Sequence, residues 1–279
     1  MAGAAPAALV IRQTPCAAPL TSSPRPQRPR RASWTYSSNV TSAILLDAGG
    51  VFLFPQPDVM LPPLRAAGLS PDLATLERAH YRAMSLLDIP GTPDPDNDTW
   101  WHSYLMDYVA ECGIAASECA AVAKRMSREI VSFGWTHVAA SARDGLRAIA
   151  GLGIPIGIVS NSDGSVQDAL RSLGVCYAAD PAQPVTDGVE VGVVIDSHVV
   201  GVAKPDPEIF RIALDALGVP AGQDVVHIGD SLRYDVTGAL AAGLRPIHLD
   251  PYGYCPIPEG HEHITSLSGI LEIVGKQSG

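Results

Sequence analysis

The sequence lacks the features of a secreted scaffold, a membrane protein or a polyanion binder. Only five cysteines occur in 279 residues (Cys16, Cys112, Cys119, Cys176 and Cys255), an odd number with no C-x-x-C pair. That usage argues against both a disulfide framework and a zinc site. No apolar stretch reaches the roughly 18 uninterrupted residues that a membrane helix requires. No membrane partner is therefore expected, and a reducing cytoplasm is the expected compartment. Acidic residues are absent before Asp47, whereas Arg12, Arg25, Arg28, Arg30 and Arg31 all fall there. The net charge of −10 thus becomes −15 over the remainder of the chain. So acidic a body is a poor surface for nucleic acid, which is not expected as a partner, although a bound cation would still allow a small phosphorylated molecule to be held.

What is present divides along the chain. Residues 1–40 are rich in Ala, Pro, Ser and Arg with no period that would bury a face, and read as a disordered arm. The arm shares its Arg- and Ser-rich, acid-free composition with organelle transit peptides. Its prolines oppose the amphipathic helix such peptides form, so a dispensable extension or a start codon placed too early is the expected reading. From Ala43 the pattern changes. Short apolar runs, AILLD, IPIGIVS (154–160), VGVVID (191–196), DVVHIGD (224–230) and RPIHLD (245–250), read as buried strands. Between them lie the helical patterns SARDGLRAIAGLG, VQDALRSLG, PEIFRIALDALG and Tyr234 to Ala242, with glycine stops at Gly174, Gly218 and Gly243. This alternation predicts an α/β fold with a doubly wound parallel sheet, made of residues 41–54 and 139–279. Residues 55–138 carry helix signals only, beginning at Ser70-Pro71 as N-cap and first-turn proline, and read as an inserted all-helical cap. No internal repeat or heptad run is visible.

In open α/β sheets ligands bind beyond the carboxyl ends of the strands. Four such places carry informative residues: Asp47 after AILL, Ser160-Asn161 after IGIV, Lys204 in GVAKPDPEIF, and Asp230 with Asp235 in HIGDSLRYD. Taken singly, each has an ordinary explanation. An Asp can shape a turn, a Ser can cap the next helix, and a Lys is usually a solvated surface residue. The order and spacing are another matter, since Lys204 of KPDPEIF is followed 26 residues later by Asp230 of GDS-x-x-x-D in an alternating strand and helix frame.

On these segments, DAGGV, VSNSDG, VAKPDPEIF and GDSLRYDVTGALAAG, the chain resembles the haloacid dehalogenase superfamily over residues 43–275. The resemblance is to its subfamily I, whose helical cap follows the first strand. It implies a Rossmann-like core and a hydrolase that uses Asp47 as nucleophile, forming an aspartyl intermediate that splits one displacement into two. Lys204 would neutralise charge on the nucleophile, Ser160 would hydrogen-bond the transferring group, and Asn161 would support it. Asp47, Asp230 and the carbonyl of Gly49 would hold Mg²⁺, with Asp235 completing the cluster directly or through water. Several carboxylates at one place repel without a cation, and a hard, oxygen-preferring ion suits them. A small phosphorylated molecule is the implied substrate.

One position departs from the pattern. Phosphatases of this family carry a second Asp two residues after the nucleophile, acting as general acid and base, and here that residue is Gly49. Glycine offers no proton, and such assistance is typically worth about 10² to 10⁴ in rate. Three readings follow: a phosphotransfer enzyme that uses a good leaving group or borrows an acid from the cap, with His80, His102 and Asp107 as candidate donors; a weak or inactive member serving as a binding or regulatory protein; and a dehalogenase-like enzyme, against which the retained Asp230 and Asp235 count. His137, His227 and the His261/His263 pair are expected to be structural or surface residues, His261-x-His263 being a poor match to zinc spacings. Substrate identity and oligomeric state are not legible in the sequence.

Overall fold

A computed structural model describes residues 40–89, 97–129, 134–180 and 187–275; the expected arm up to residue 39 and the Pro-rich stretch at 90–96 lie outside these residues. In chain order the elements are β1 (Ala43–Leu46), β2 (Leu53–Pro55), α1 (Pro57–Ala66), α2 (Leu73–Leu87), α3 (Asn97–Glu111), α4 (Ala116–Glu129), β3 (Trp135–Val138), α5 (Ala142–Ala150), β4 (Ile156–Ser160), α6 (Val166–Ser172) and β5 (Cys176–Ala178). There follow β6 (Val189–Val191), β7 (Val193–Asp196), α7 (Ser197–Val200), α8 (Pro207–Leu217), β8 (Val225–Gly229), α9 (Thr237–Ala241), β9 (Arg245–Leu249), β10 (Glu262–Ile264) and α10 (Ile270–Gly275).

Six strands form a sheet in the order β10-β9-β8-β1-β4-β7, with every neighbouring pair parallel. A parallel sheet with helices on both faces buries every residue of its central strands, which explains why these strands read as continuous apolar runs. Strand β1 shows the consequence. Ile44 and Leu46 join one core cluster with Leu146, Ile158 and Ile228, while Ala43 and Leu45 join another with Phe210, Leu214 and Val225 on the opposite face. The architecture is thus the α/β fold that the strand and helix alternation predicts. The glycine stops at Gly174, Gly218 and Gly243 all adopt left-handed backbone.

Helices α1 to α4 have a core of their own, with Met60, Leu64, Tyr104, Tyr108 and Met126 fully buried in it. At its base β2 pairs antiparallel with β3, a short ladder between the end of the expected core segment at Leu53 and Phe54 and residues 135–138, which the sequence pattern assigns to helix signals alone. Two further details differ from expectation. Helix α2 is capped by Asp72, whose carboxylate accepts from Thr75 N at 2.8 Å, and not by Ser70; an ionised side chain at the N-cap also complements the helix dipole. The run read as one strand over 191–196 breaks at Gly192. Val193–Asp196 joins the large sheet, while Val189–Val191 pairs with β5 in a separate two-stranded sheet.

Candidate active site

The parallel arrangement puts the chemistry at one rim. Asp47 and Asp230 directly follow β1 and β8, Ser160 ends β4, and Asp47 N donates to the Ile228 carbonyl at 2.9 Å, tying the two acidic strand ends together. Gly50 completes the junction. It has a φ of +64°, and a Cβ there would collide with the Asp230 carboxylate, so only glycine lets the chain turn this close to the acid. Tyr81 Oη locks the turn by donating to the Gly50 carbonyl at 2.6 Å.

Carboxylate oxygens of Asp47, Asp230 and Asp235 lie within 4.8 Å of one another, all three side chains buried. Lys204 Nζ bridges two of them, 2.8 Å from Asp47 Oδ1 and 2.7 Å from Asp235 Oδ1. Burial opposes the charge on Lys204, yet the carboxylates of Asp235 and Asp47 outweigh it and hold the ammonium above its ordinary pKa. Asp47 is pushed up to about 7, first by burial and then by the neighbouring charges of Asp235 and Asp230, against the pull of Lys204. For Asp235 the balance is reversed. Burial would raise it, but Lys204 and His227 hold its carboxyl well below the usual carboxylate range.

The surroundings of Asp235 explain that contrast. Its Oδ1 accepts from Lys204 and from His227 Nε2 at 2.8 Å, and its Oδ2 from Ser231 N at 3.1 Å. Burial pushes His227 down, so the ring is neutral at pH 7 and donates its Nε2 proton. Asp235 therefore sits in a full set of donors supplied by the protein. Asn161 has a comparable supporting geometry: its Oδ1 accepts from Lys204 N at 2.8 Å and its Nδ2 donates to Lys204 O at 3.0 Å, clamping the lysine's backbone. The contact is with Lys204 rather than with Ser160.

Sheet rim and helical insert enclose a cleft of about 980 Å³. Asp47, Gly49, Ser160, Asn161, Lys204, Asp230 and Asp235 all line it, so the sequence-derived residues come together. The insert contributes His80, Met84, Trp100 and Trp101, and Trp135 of β3 adds a further apolar wall. Of the three candidate donors from the insert, His80 lines the cleft; His102 and Asp107 do not. Both ring nitrogens of His80 are engaged, Nε2 2.8 Å from Asp230 Oδ2 and Nδ1 2.9 Å from Tyr104 Oη. His227, expected as a structural or surface residue, is 0% exposed, the candidate donor His80 is 1% exposed, and both touch the acidic cluster. Gly49 has no left-handed backbone, and a Cβ there would meet the Trp135 ring at 3.5 Å, an ordinary contact.

Asp88, at the end of α2, is a residue sequence reasoning missed. Its carboxylate accepts from Ser231 Oγ at 2.8 Å, Leu232 N at 2.6 Å and Arg233 N at 3.0 Å, joining the insert to the turn that follows Asp230. Burial pushes it up to about 6 against those three hydrogen bonds. A signal was available. An acid at a helix C-terminus opposes the dipole and has to find donors elsewhere.

Residues 42–243 match the family described as haloacid dehalogenase-like hydrolase. Haloacid dehalogenase-like hydrolase domain-containing protein 3 of Danio rerio is 29% identical over 54% of this chain and 57% of its own length. The chain thus spans a little over half of that curated relative. A phosphoglycolate phosphatase of Rhodospirillum rubrum is 36% identical over 45% of this chain and 44% of its own. Among solved structures, a HAD family hydrolase from Deinococcus radiodurans with bound phosphate and sodium shares the fold at a TM-score of 0.51 and 22% identity, covering 87% of this chain and 98% of that one. With the family match extending from β1 to the end of the helix after Asp230, this chain belongs to the haloacid dehalogenase-like hydrolases.

Proposed function

We propose that the protein is a magnesium-dependent phosphotransfer hydrolase acting on a small phosphorylated metabolite, with Asp47 as nucleophile. The observation that carries the reading is the arrangement of three buried carboxylates with one lysine bridging two of them, whose single positive charge leaves the group net anionic. The residues present suit a hard divalent cation, because all the donors are oxygens. Asp47, Asp230 and the Gly49 carbonyl would hold Mg²⁺, with Asp235 closing the acidic group from behind Lys204. When bound, the ion supplies charge neutralisation at the transferring phosphoryl group.

The chain's own residues do the rest. An Asp47 carboxylate oxygen bonds to phosphorus while the bond from phosphorus to the leaving oxygen breaks, giving an aspartyl phosphate that water then hydrolyses to inorganic phosphate and free Asp47. Lys204, at 2.8 Å from Asp47, offsets charge on the nucleophile and the phosphoryl oxygens, and Ser160 faces the same cleft with a hydroxyl. Asp235, His227 and Asn161 fix the lysine rather than touch substrate. The helical insert acts as a cap that limits water in the cleft. Its Met84, Trp100 and Trp101 favour a leaving group with apolar or aromatic surface.

Gly49 sets the rate. With no acid there, and with both nitrogens of His80 committed to Asp230 and Tyr104, the leaving oxygen departs as an anion, which favours acyl and aryl phosphates. The same observation supports a second reading, a weakly active member that binds phosphorylated ligands. A magnesium titration with an aryl phosphate separates the two. Wild type is expected to show slow, magnesium-dependent turnover that is lost in Asp47→Asn and rises at least about tenfold in Gly49→Asp. Absence of turnover in all three variants would favour the binding protein, and turnover without metal would contradict the proposal.

A further inference from the structure

A second cluster of ligand-type side chains lies at the β9–β10 edge of the sheet and has no part in the proposed chemistry. His248 on β9 and His263 on β10 are register partners on adjacent parallel strands. His261, just before β10, has its ring centre 4.4 Å from that of His263 and 5.5 Å from that of His248. Cys255 comes from the loop between the two strands, where Asp250 holds its backbone by accepting from Tyr254 N at 2.8 Å and Cys255 N at 3.0 Å. Each of the four side chains offers one nitrogen or sulfur atom, and those atoms lie within 4.8 Å of one another.

Three observations separate this group from a chance meeting of polar residues. The distance from Cys255 Sγ to His261 Nε2 is 3.6 Å. Zinc bonds of about 2.3 Å to sulfur and about 2.0–2.1 Å to nitrogen place those two atoms about 3.5–3.6 Å apart along a tetrahedral edge. His248 Nε2 lies 3.0 Å from the Asp230 carbonyl oxygen, which can only accept, so Nε2 is the donating nitrogen and Nδ1 the one left to offer a lone pair. A ligating histidine is ordinarily oriented in this way, by donating its other N–H to a carbonyl. Finally, His248 is 4% exposed, and its Nδ1 and His263 Nε2 are both buried without a hydrogen-bond partner. Unpaired buried nitrogens are costly unless something accepts their lone pairs.

We propose that His248, Cys255, His261 and His263 form a tetrahedral site for one zinc-class divalent cation, distinct from the acidic cleft. Thiolate and imidazole donors suit a borderline-soft ion, whereas the oxygen-only cleft suits a hard one. With all four positions filled by protein, the site is structural. Binding converts the Cys255 thiol to a thiolate, its proton passing to solvent. The ion fastens β9, β10 and the loop between them. That loop carries Tyr252 and Tyr254 against α2, with the Tyr252 ring 5.7 Å from Tyr81 and the Arg82 guanidinium 5.2 Å from the centre of the Tyr254 ring. Spacing along the chain does not disclose such a site, because its ligands come from two strands and the loop joining them.

Cobalt is the direct probe, since a thiolate ligand gives a sulfur-to-cobalt charge-transfer band that carboxylates do not. One equivalent of Co²⁺ added to the metal-free full-length protein is expected to give that band with tetrahedral d–d absorption, and Zn²⁺ to abolish both. In Cys255→Ser the charge-transfer band is lost. In His263→Ala affinity falls by more than about 100-fold, since changes behind the ligands alone cost roughly 10- to 100-fold. Asp47→Asn keeps the full spectrum, which distinguishes this site from the cleft. Melting temperatures supply the folding control: zinc raises that of wild type and not that of Cys255→Ser, while the two metal-free proteins melt alike. A wild-type protein without the band, or a band that survives Cys255→Ser, overturns the proposal.

Discussion

The sheet rim and the helical insert face one cleft, yet they bring residues to it by different rules. At the rim, position follows from topology. Asp47, Ser160 and Asp230 are side by side because β4, β1 and β8 are neighbours in a parallel sheet whose carboxyl ends all point one way. In the insert nothing comparable fixes where a side chain arrives. His80 and Asp88 reach the site because of how α2 lies on the sheet, and they belong to one helix whose other inward residues, Leu76, Ala79 and Ala83, simply pack. A strand end is thus a functional address legible in sequence, whereas a helix face is not.

The largest expected effect tests the rim. Lys204 is 3% exposed and neutralises two buried acids, so Lys204→Met should remove turnover and destabilise the protein by about 3–5 kcal/mol, the usual cost of leaving buried charge unpaired. Chemical denaturation measures the second effect, and Lys204→Arg should restore part of the stability with little activity. If Lys204→Met melts like wild type, the charges at the rim are not coupled as described.

A smaller effect tests the insert. Asp88→Ala removes three hydrogen bonds between α2 and the turn at 231–233, and should cost roughly 2–3 kcal/mol by denaturation. Hydrogen exchange should show the loss concentrated in residues 230–236. A loss confined to α2 would mean that the insert does not support the rim.

The fold and the site were legible to different depths. Strands such as AILLD and DVVHIGD announced themselves because a parallel sheet covered on both faces leaves few polar positions inside, His227 being one of them. The four motif segments carried Asp47, Ser160, Lys204, Asp230 and Asp235 with them. What escaped was geometry set by tertiary packing: the β2–β3 ladder, the clamp of Asn161 on Lys204, and the contacts of His80 with Asp230 and of Asp88 with the turn beyond it. Asp235 was assigned to the metal through the family resemblance, and only its surrounding donors show how firmly it is bound to Lys204 and His227.

The subtlest expected effect is on pH. Asp88 has its pKa raised to about 6 in the folded protein, above the roughly 3.9 of an unfolded chain. Its contribution to stability is therefore complete below about pH 4 and is lost as the pH rises through about 6, because the folded state binds the proton more tightly. Denaturation midpoints between pH 4 and 6.5 should show this downward slope in wild type, and it should be shallower in Asp88→Asn, where the raised pKa of Asp47 still contributes. Equal slopes in the two proteins would place the ionisation of Asp88 outside that window.

The most direct measurement is on Asp47 itself. The protein is mixed with magnesium and an acyl phosphate, quenched in acid, digested and read by mass spectrometry. One phosphoryl group is expected on the peptide containing Asp47, absent when magnesium is chelated, absent in Asp47→Asn, and longer lived in wild type than in Gly49→Asp. A phosphoryl group on another residue, or turnover that persists in Asp47→Asn, contradicts the account.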